Sequence, residues 1–394
     1  MKKRTFLAWF LFGHLANDWP IASLWLIVPA VGISMNLSPG EVGLLFTVFN
    51  LGGALAYLPA GVLADHVSNR GRLLVMTFWW VAAGYALAAM APGYWSLALL
   101  LAIAGMGNAA WHPIATGVLT RESGGRRAHA LGIHAIGGSL AEILAPLCVG
   151  FLIAYVDWRG ALVVSVFPTV LLGLCFVHVA RTVPRLDKRA VNRRDLLDIL
   201  YIWRRGSGPR IVAMICLYNM ALVALLSMIP LYLADAHGFG PAEAGIAFSA
   251  LLVAGALAQP WVGKLSDIVG RRPILVSGNL VAGVSAALLM LQPPLWFTVL
   301  AMTAAVAGLD AIRAAMLAAA VDYANRREGT TLGLAFVLMD GVGALGSVLA
   351  GIAAGFSWPH MFGLAAAFSL GAVMLAAMTN FRQSADTVSK RPLA

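Results

Sequence analysis

Gly61-Val62-Leu63-Ala64-Asp65, followed by the basic turn Arg70-Gly71-Arg72, returns 202 positions later as Gly263-Lys264-Leu265-Ser266-Asp267, followed by Gly270-Arg271-Arg272-Pro273. Each copy lies where one long apolar run ends and the next begins. Working outward, the same offset pairs Asn17 with Asn219, Pro39 with Pro241, Glu41 with Glu243, Gly43 with Gly245 and Gly53 with Gly255. A repeat of this length is two copies of one half-protein, since solenoid periods run to roughly 20–50 residues.

The surrounding composition fixes the setting. Hydrophobic residues make up 60% of the 394-residue chain, charged residues 11%, and there are 41 glycines. Soluble domains average about 25% charged residues, so this is a membrane protein. Crossing a hydrocarbon core of about 30 Å takes roughly 20 apolar residues as helix. Runs of that kind read at about 6–34, 40–64, 72–91, 95–120, 129–156 and 160–180, and again at about 211–234, 241–264, 274–292, 295–321, 331–356 and 358–381. The expected fold is all-α: twelve transmembrane helices in two pseudo-symmetric six-helix bundles. Residues 1–180 form the first bundle, 181–210 a cytoplasmic linker, 211–381 the second bundle and 382–394 a tail.

Basic residues set the orientation, because cytoplasmic loops carry the excess of Lys and Arg. With the first residues cytoplasmic, all 27 Lys and Arg fall on the cytoplasmic side except Arg159, on the opposite side, and Arg313, within a span. Both termini are therefore expected in the cytoplasm of a cell whose plasma membrane, a bacterial inner membrane, holds the protein. The net charge of +10 then speaks of loops facing anionic lipid, and no nucleic-acid partner is needed. Within the linker, Asn192 to Arg205 has an apolar helical stripe flanked by basic residues, as in a helix lying on the membrane face. Cys148, Cys175 and Cys216 sit in apolar runs without metal or redox spacing and read as small buried hydrophobes.

Polar groups inside spans are the candidate site, since lipid tolerates them only where they face a cavity or a partner. The first span carries His14, Asn17 and Asp18, with His14 and Asp18 four apart on one face. Asp18 is either a functional group or glue between helices. Pro20 and Pro29 are expected to kink this span. The fourth span carries Asn108, Trp111, His112 and Pro113; proline lacks the amide donor and disfavours helical dihedrals before it, so a break is expected beside His112. His112 is then a pocket residue or a satisfied structural histidine. The fifth span carries His134 and Glu142, with no Lys or Arg in any span of that half. Such a carboxylate is a candidate for proton exchange or for meeting a cationic substrate.

In the second half Asn219 is retained, but Met220 stands where the first half has Asp18. Asp310, Arg313 and Asp340 occupy positions matching Asn108, Trp111 and Gly138, and read equally as an ion cluster or as a substrate site.

These features resemble the major facilitator superfamily over essentially the whole chain. Its loop signature, Gly-x-Leu-x-Asp-Arg-x-Gly-Arg-Arg, is met by Gly263 to Arg272 with Ile268 in place of the first arginine. The first copy departs further, with His66, Ser68 and Asn69 in place of Arg, Gly and Arg. The resemblance implies a cytoplasmic latch that holds the halves together in the outward-open state. It would comprise Gly61, Asp65, Arg70 and Arg72, and Gly263, Asp267, Gly270, Arg271 and Arg272. His14-x-x-Asn17-Asp18 together with Gly105-x-Gly107-Asn108-Ala-x-Trp111-His112-Pro113 is similar to the fosmidomycin-resistance branch, which implies efflux by an antiporter. The helix-4 arginine of many proton-coupled members is absent, and their helix-5 Gly-Pro signature is only approximated by Gly137-Gly138 and Pro146.

The function expected is secondary active transport of a small solute by alternating access. Proton coupling would run through Asp18 or Glu142, with His14, His112 and His134 near the path. Expected partners are the solute, protons and the bilayer, with a monomeric protein, no cofactor and no resident metal. The rival transport readings are uptake of a small organic solute and movement of a divalent metal ion, for which three histidines and two carboxylates in one half are suitable donors. An enzyme or receptor scaffold would need a soluble catalytic segment or a nucleophile set, and the linker offers neither. No Gly-x-x-x-x-Gly-Lys-Ser/Thr phosphate loop supports ATP-driven pumping.

Overall fold

The computed structural model describes residues 3–122, 127–185, 203–324 and 328–381. Most of the segment expected as a linker helix, the loop residues Arg126, Arg326 and Arg327, the tail and the side chain of Asp65 lie outside the described residues.

In chain order the α-helices are α1 (Lys3–Ser34), α2 (Pro39–His66), α3 (Arg70–Ala89), α4 (Tyr94–Glu122), α5 (Arg127–Ile153), α6 (Trp158–Ser165) and α7 (Phe167–Val179) in the first half. The second half has α8 (Gly208–His237), α9 (Pro241–Val269), α10 (Arg271–Leu289), α11 (Leu295–Ala324), α12 (Glu328–Asp340), α13 (Leu345–Phe356) and α14 (Trp358–Met378). They make 12 stretches long and apolar enough to cross a bilayer; α6 with α7, and α12 with α13, each form one interrupted span. Helix is the outcome physics requires, because backbone groups in hydrocarbon must bond within their own segment.

The repeat reappears as repeated capping. Glu41 Oε2 accepts the Ser38 amide at 2.8 Å where α2 begins, and Glu243 Oε2 accepts the Gly240 amide at 2.7 Å where α9 begins. A carboxylate at a helix N-terminus satisfies an orphan donor and suits the dipole. At the other end of α9, Gly270 takes φ +94°. Only glycine enters that region without strain, so this signature glycine is set by the turn that launches α10.

The halves meet at the ends remote from the basic loops, where close backbone approach depends on small residues. A Cβ at Gly43 of α2 would sit 2.2 Å from the Ser347 carbonyl oxygen of α13, and one at Gly351 would sit 2.2 Å from that of Pro39. Gly150 of α5 and Gly245 of α9 face each other in the same way, a Cβ at Gly150 falling 2.9 Å from the Gly245 Cα. The Thr47 hydroxyl donates to the Ala344 carbonyl at 2.9 Å and accepts the Val348 amide at 3.2 Å, tying α2 to α13. The described hydrogen bonds between the halves lie at this end or near the midplane.

The helix break lies elsewhere than the proline led us to expect. α4 runs unbroken through Pro113, and α1 is a single helix through Pro20 and Pro29. A proline in a helix removes one i→i−4 bond, and the remaining turns can carry the segment on. The interruption beside an ionisable residue falls instead after Asp340, where Gly341 to Ala344 form turns. There the Gly343 amide bonds to the Leu338 carbonyl at 2.9 Å, one residue further back than in an α-helix. That shift releases the Met339 carbonyl, and Asn219 of α8 donates its side-chain amide to it at 2.8 Å. Irregular backbone at membrane depth persists only when protein groups satisfy it in this manner.

Candidate functional site

α1 places His14 and Asp18 one turn apart, and their side chains meet, Nε2 to Oδ2, at 3.0 Å. α4 brings His112 to the same carboxylate, its Nε2 3.8 Å from Asp18 Oδ1. From α5, His134 stacks on the His14 ring with centroids 4.1 Å apart, and its backbone carbonyl lies 2.7 Å from His14 Nδ1. Gly137 and Gly138 allow this approach: a Cβ at Gly138 would meet the His14 ring at 2.7 Å. The small-residue pair thus seats the histidine. Both carboxylate oxygens of Asp18 face imidazole, and Oδ1 is buried with no hydrogen-bond partner.

Two contacts join this region to the second half. Arg313 of α11 donates from Nη1 to Glu142 Oε1 of α5 at 3.4 Å, and Tyr57 of α2 donates its hydroxyl to Asp340 Oδ2 at 2.6 Å. The Arg313 and Glu142 side chains keep 34% and 39% of their surface although both are mid-span. Since they face each other from opposite halves, that surface opens onto the space between the bundles. The carboxylate expected without a cation therefore has one, supplied by the other half. Arg313 makes no described ion pair with Asp310 or Asp340; Asp310 is buried against Gly255 and Asp340 is held by Tyr57.

The remaining predicted residues sit in packing. Asn108 donates to the backbone and side-chain oxygens of Asn17, and its own Oδ1 accepts the Tyr85 hydroxyl at 2.9 Å. Trp111 is fully buried among Phe10, Phe78 and Phe176. At the basic end, Arg70 is buried and donates to the carbonyls of Gly117 and Pro184, so it fastens α3 to other parts of its own half. Arg271 pairs with Asp267 at 2.6 Å and with Asp322 of α11 at 2.9 Å. Arg72 bonds through its backbone amide to Asn69, and Gly61 faces Pro113. Gly263 has open space around its Cβ direction, and Arg272 lines a recess of about 850 Å³ with Arg271 and Asp322, away from the midplane cluster. These described contacts of the signature loops are all internal to one half.

Tyr57 was missed by sequence reasoning. A tyrosine in an apolar run carries no distinguishing signal; only its hydroxyl bond to Asp340 and the stacking of its ring on Phe336, with centroids 5.5 Å apart, mark it as part of the junction.

Comparison with known proteins gives the same architecture. The Major Facilitator Superfamily profile matches residues 10–241 and 213–393. The chain is 23% identical over 350 residues to the fosmidomycin resistance protein of Escherichia coli (strain K12), covering 86% of this chain and 84% of that one. It is 25% identical over 350 residues to the "Probable sulfoacetate transporter SauU" of Cupriavidus necator, covering 81% and 79%. A crystal structure of a bacterial homologue of the human lysosomal transporter Spinster, in an inward-facing and unoccupied conformation, superimposes with a TM-score of 0.76 at 19% identity, covering 96% of each chain. With twelve apolar spans, two six-helix halves and this match over nearly its whole length, the chain is a multi-pass membrane transporter of small solutes belonging to the Major Facilitator Superfamily.

Proposed function

We propose that the protein is a proton-coupled antiporter that exports a small anionic drug or metabolite across a bacterial inner membrane. The observation that carries this is the Glu142–Arg313 pair reaching across the two halves at 3.4 Å. Rocking of one half against the other must break or remake that contact, so whatever competes for either partner biases the transition. A proton on Glu142 removes the charge that holds Arg313. An anionic solute competes for the guanidinium, whose planar fork suits carboxylate, sulfonate or phosphonate groups and which has one described hydrogen bond.

With the basic loops cytoplasmic, the glycine-packed contacts close the periplasmic side, and the site is reached from the cytoplasm. The likeness to the fosmidomycin resistance protein supports export; sulfoacetate, named for another relative, is itself an anion. Asp18, between two imidazoles, is the second proton-exchanging position. Asn17, Asn108, Trp111 and Asn219 hold the helices that carry these groups, and the signature loops, with Asp65 at the centre of the first, form the cytoplasmic latch when the halves rock the other way.

The test is flux in proteoliposomes carrying an internal pH indicator, with phosphonates, sulfonates, sugars and organic acids as candidate solutes chosen by thermal shift. Solute movement against an imposed pH gradient, abolished in Glu142→Gln and Arg313→Ala and altered in pH dependence in Asp18→Asn, is the expected result. Solute flux that ignores the pH gradient would refute proton coupling. Solute-driven acidification in the opposite sense would replace export by uptake.

A further inference from the structure

We propose that His14, Asp18 and His112 form a binding site for one divalent first-row transition-metal ion, of the kind that imidazole and carboxylate favour, such as Zn²⁺ or Co²⁺. One ring nitrogen each of His14 and His112 and an Asp18 oxygen all lie within 4.8 Å of one another. In a tetrahedral site with metal–ligand bonds of about 2.0–2.2 Å, neighbouring ligand atoms stand roughly 3.3 Å apart. His14 Nε2 stands 3.0 Å from Asp18 Oδ2 and His112 Nε2 3.8 Å from Oδ1, so the two rings flank the carboxylate, one at each oxygen. Closing the trio around one ion needs the His112 ring to swing by about 1–2 Å, within what a side-chain rotation allows. That ring has room, its side chain being 28% exposed.

Two further observations point to an ion and not merely to packed polar groups. The first is the outer partner of His14. Its Nδ1 lies 2.7 Å from the His134 carbonyl, which can only accept, so the proton of a neutral ring is on Nδ1 and the Nε2 lone pair is aimed at the Asp18 carboxylate. Two lone-pair groups facing each other at 3.0 Å require a cation between them, a proton or a metal. A metal-bound histidine usually donates its other ring N–H to a backbone carbonyl in this way, which fixes the tautomer and the ring's orientation. The second is Asp18 Oδ1, a buried acceptor without a hydrogen-bond partner that is directed at His112. A buried carboxylate oxygen left unsatisfied is unfavourable unless something positive reaches it.

Three protein ligands leave a further coordination position for water or another small ligand. Two nitrogens with one oxygen suit Zn²⁺, Co²⁺ or Ni²⁺, whereas Mg²⁺ and Ca²⁺ prefer sets made of oxygen alone. The absence of a thiolate from the trio disfavours Cu(I). Only α1 places two of the ligands at helical spacing; the third arrives from α4, which is why the spacing His14-x-x-x-Asp18 alone does not announce the site.

The inference does not rest on the solute, the coupling or the direction proposed above. Failure of flux leaves metal binding standing, and the reverse, because the experiment reads binding to the purified protein. The full-length chain in detergent, stripped with chelator, is titrated with Co²⁺ alone and followed by ligand-field absorption, then challenged with Zn²⁺ and with Mg²⁺. One Co²⁺ per chain with the intense band of a four- or five-coordinate site, displaced by Zn²⁺ and unaffected by Mg²⁺, is expected. Asp18→Asn and His112→Gln should each weaken binding at least about tenfold, His112→Cys should retain Zn²⁺ binding, and His237→Ala, a histidine outside the cluster, should change nothing. The Cys variant guards against mere misfolding, since a misfolded chain would not keep a stoichiometric site. Absence of a saturable band in the parent, or a band of full strength in the Asp18→Asn, His112→Gln double variant, overturns the proposal and leaves a proton as the sole occupant.

Discussion

Replacing Gly43 by alanine should drive the two halves apart at the end remote from the basic loops. The added Cβ would lie 2.2 Å from the Ser347 carbonyl oxygen, 2.8 Å from its carbon and 2.9 Å from the Val348 Cα. All three atoms are backbone, so no rotamer change relieves the clash, and α13 must retreat by about 1 Å to restore van der Waals separation. Overpacking of this sort costs about 1–3 kcal/mol. The retreat also stretches the hydrogen bonds from Thr47 to Ala344 and from Val348 to Thr47, 2.9 and 3.2 Å here. The penalty applies only to the conformation closed at this end. It therefore moves the balance toward the conformation open there, by about thirtyfold for a penalty of ~2 kcal/mol.

Spin labels at Trp95 and Trp296, both exposed and at that end of their halves, would read the change as a new, longer inter-half distance in pulsed dipolar spectroscopy. Gly93→Ala, where a Cβ meets nothing within 4 Å, is the matched control and should keep the parental distribution. An unchanged distribution in Gly43→Ala, in a protein that melts like the parent, would refute the view that glycine packing seals this end.

Asn108→Ala should lower the melting temperature without changing solute affinity, because it breaks interhelical bonds from Asn108 to Asn17 and from Tyr85 to Asn108. At roughly 0.6–1.7 kcal/mol per interhelical bond, a loss of about 1–3 kcal/mol is expected from denaturant unfolding, and an altered solute affinity at unchanged stability would contradict it. Gly270→Ala forces a side chain into φ +94° and should destabilise by about 1–3 kcal/mol, read as earlier proteolysis of the α9–α10 turn. Tyr57→Phe removes the 2.6 Å bond to Asp340 while keeping the stack on Phe336. It should leave folding intact and change the rate of solute turnover; an unaltered rate would remove Tyr57 from the junction's working parts.

The spans, their pairing into halves and the family were all readable from the chain, since they rest on local properties: apolar length, charge placement between runs and a repeat at fixed offset. His14 and Asp18 were readable as neighbours for the same reason, because a helix brings residues four apart together without help from the rest of the fold. The proline at 113 misled, as a missing amide can be absorbed within a long helix, whereas the glycines at 341 and 343 open the backbone because Asn219 stands ready to accept the consequences. Which side chains meet across helices depends on how each cylinder is rotated about its axis and how closely glycine lets it approach. Those are properties of packing, and so the second imidazole beside Asp18, the arginine beside Glu142 and the tyrosine on Asp340 came only with the tertiary structure.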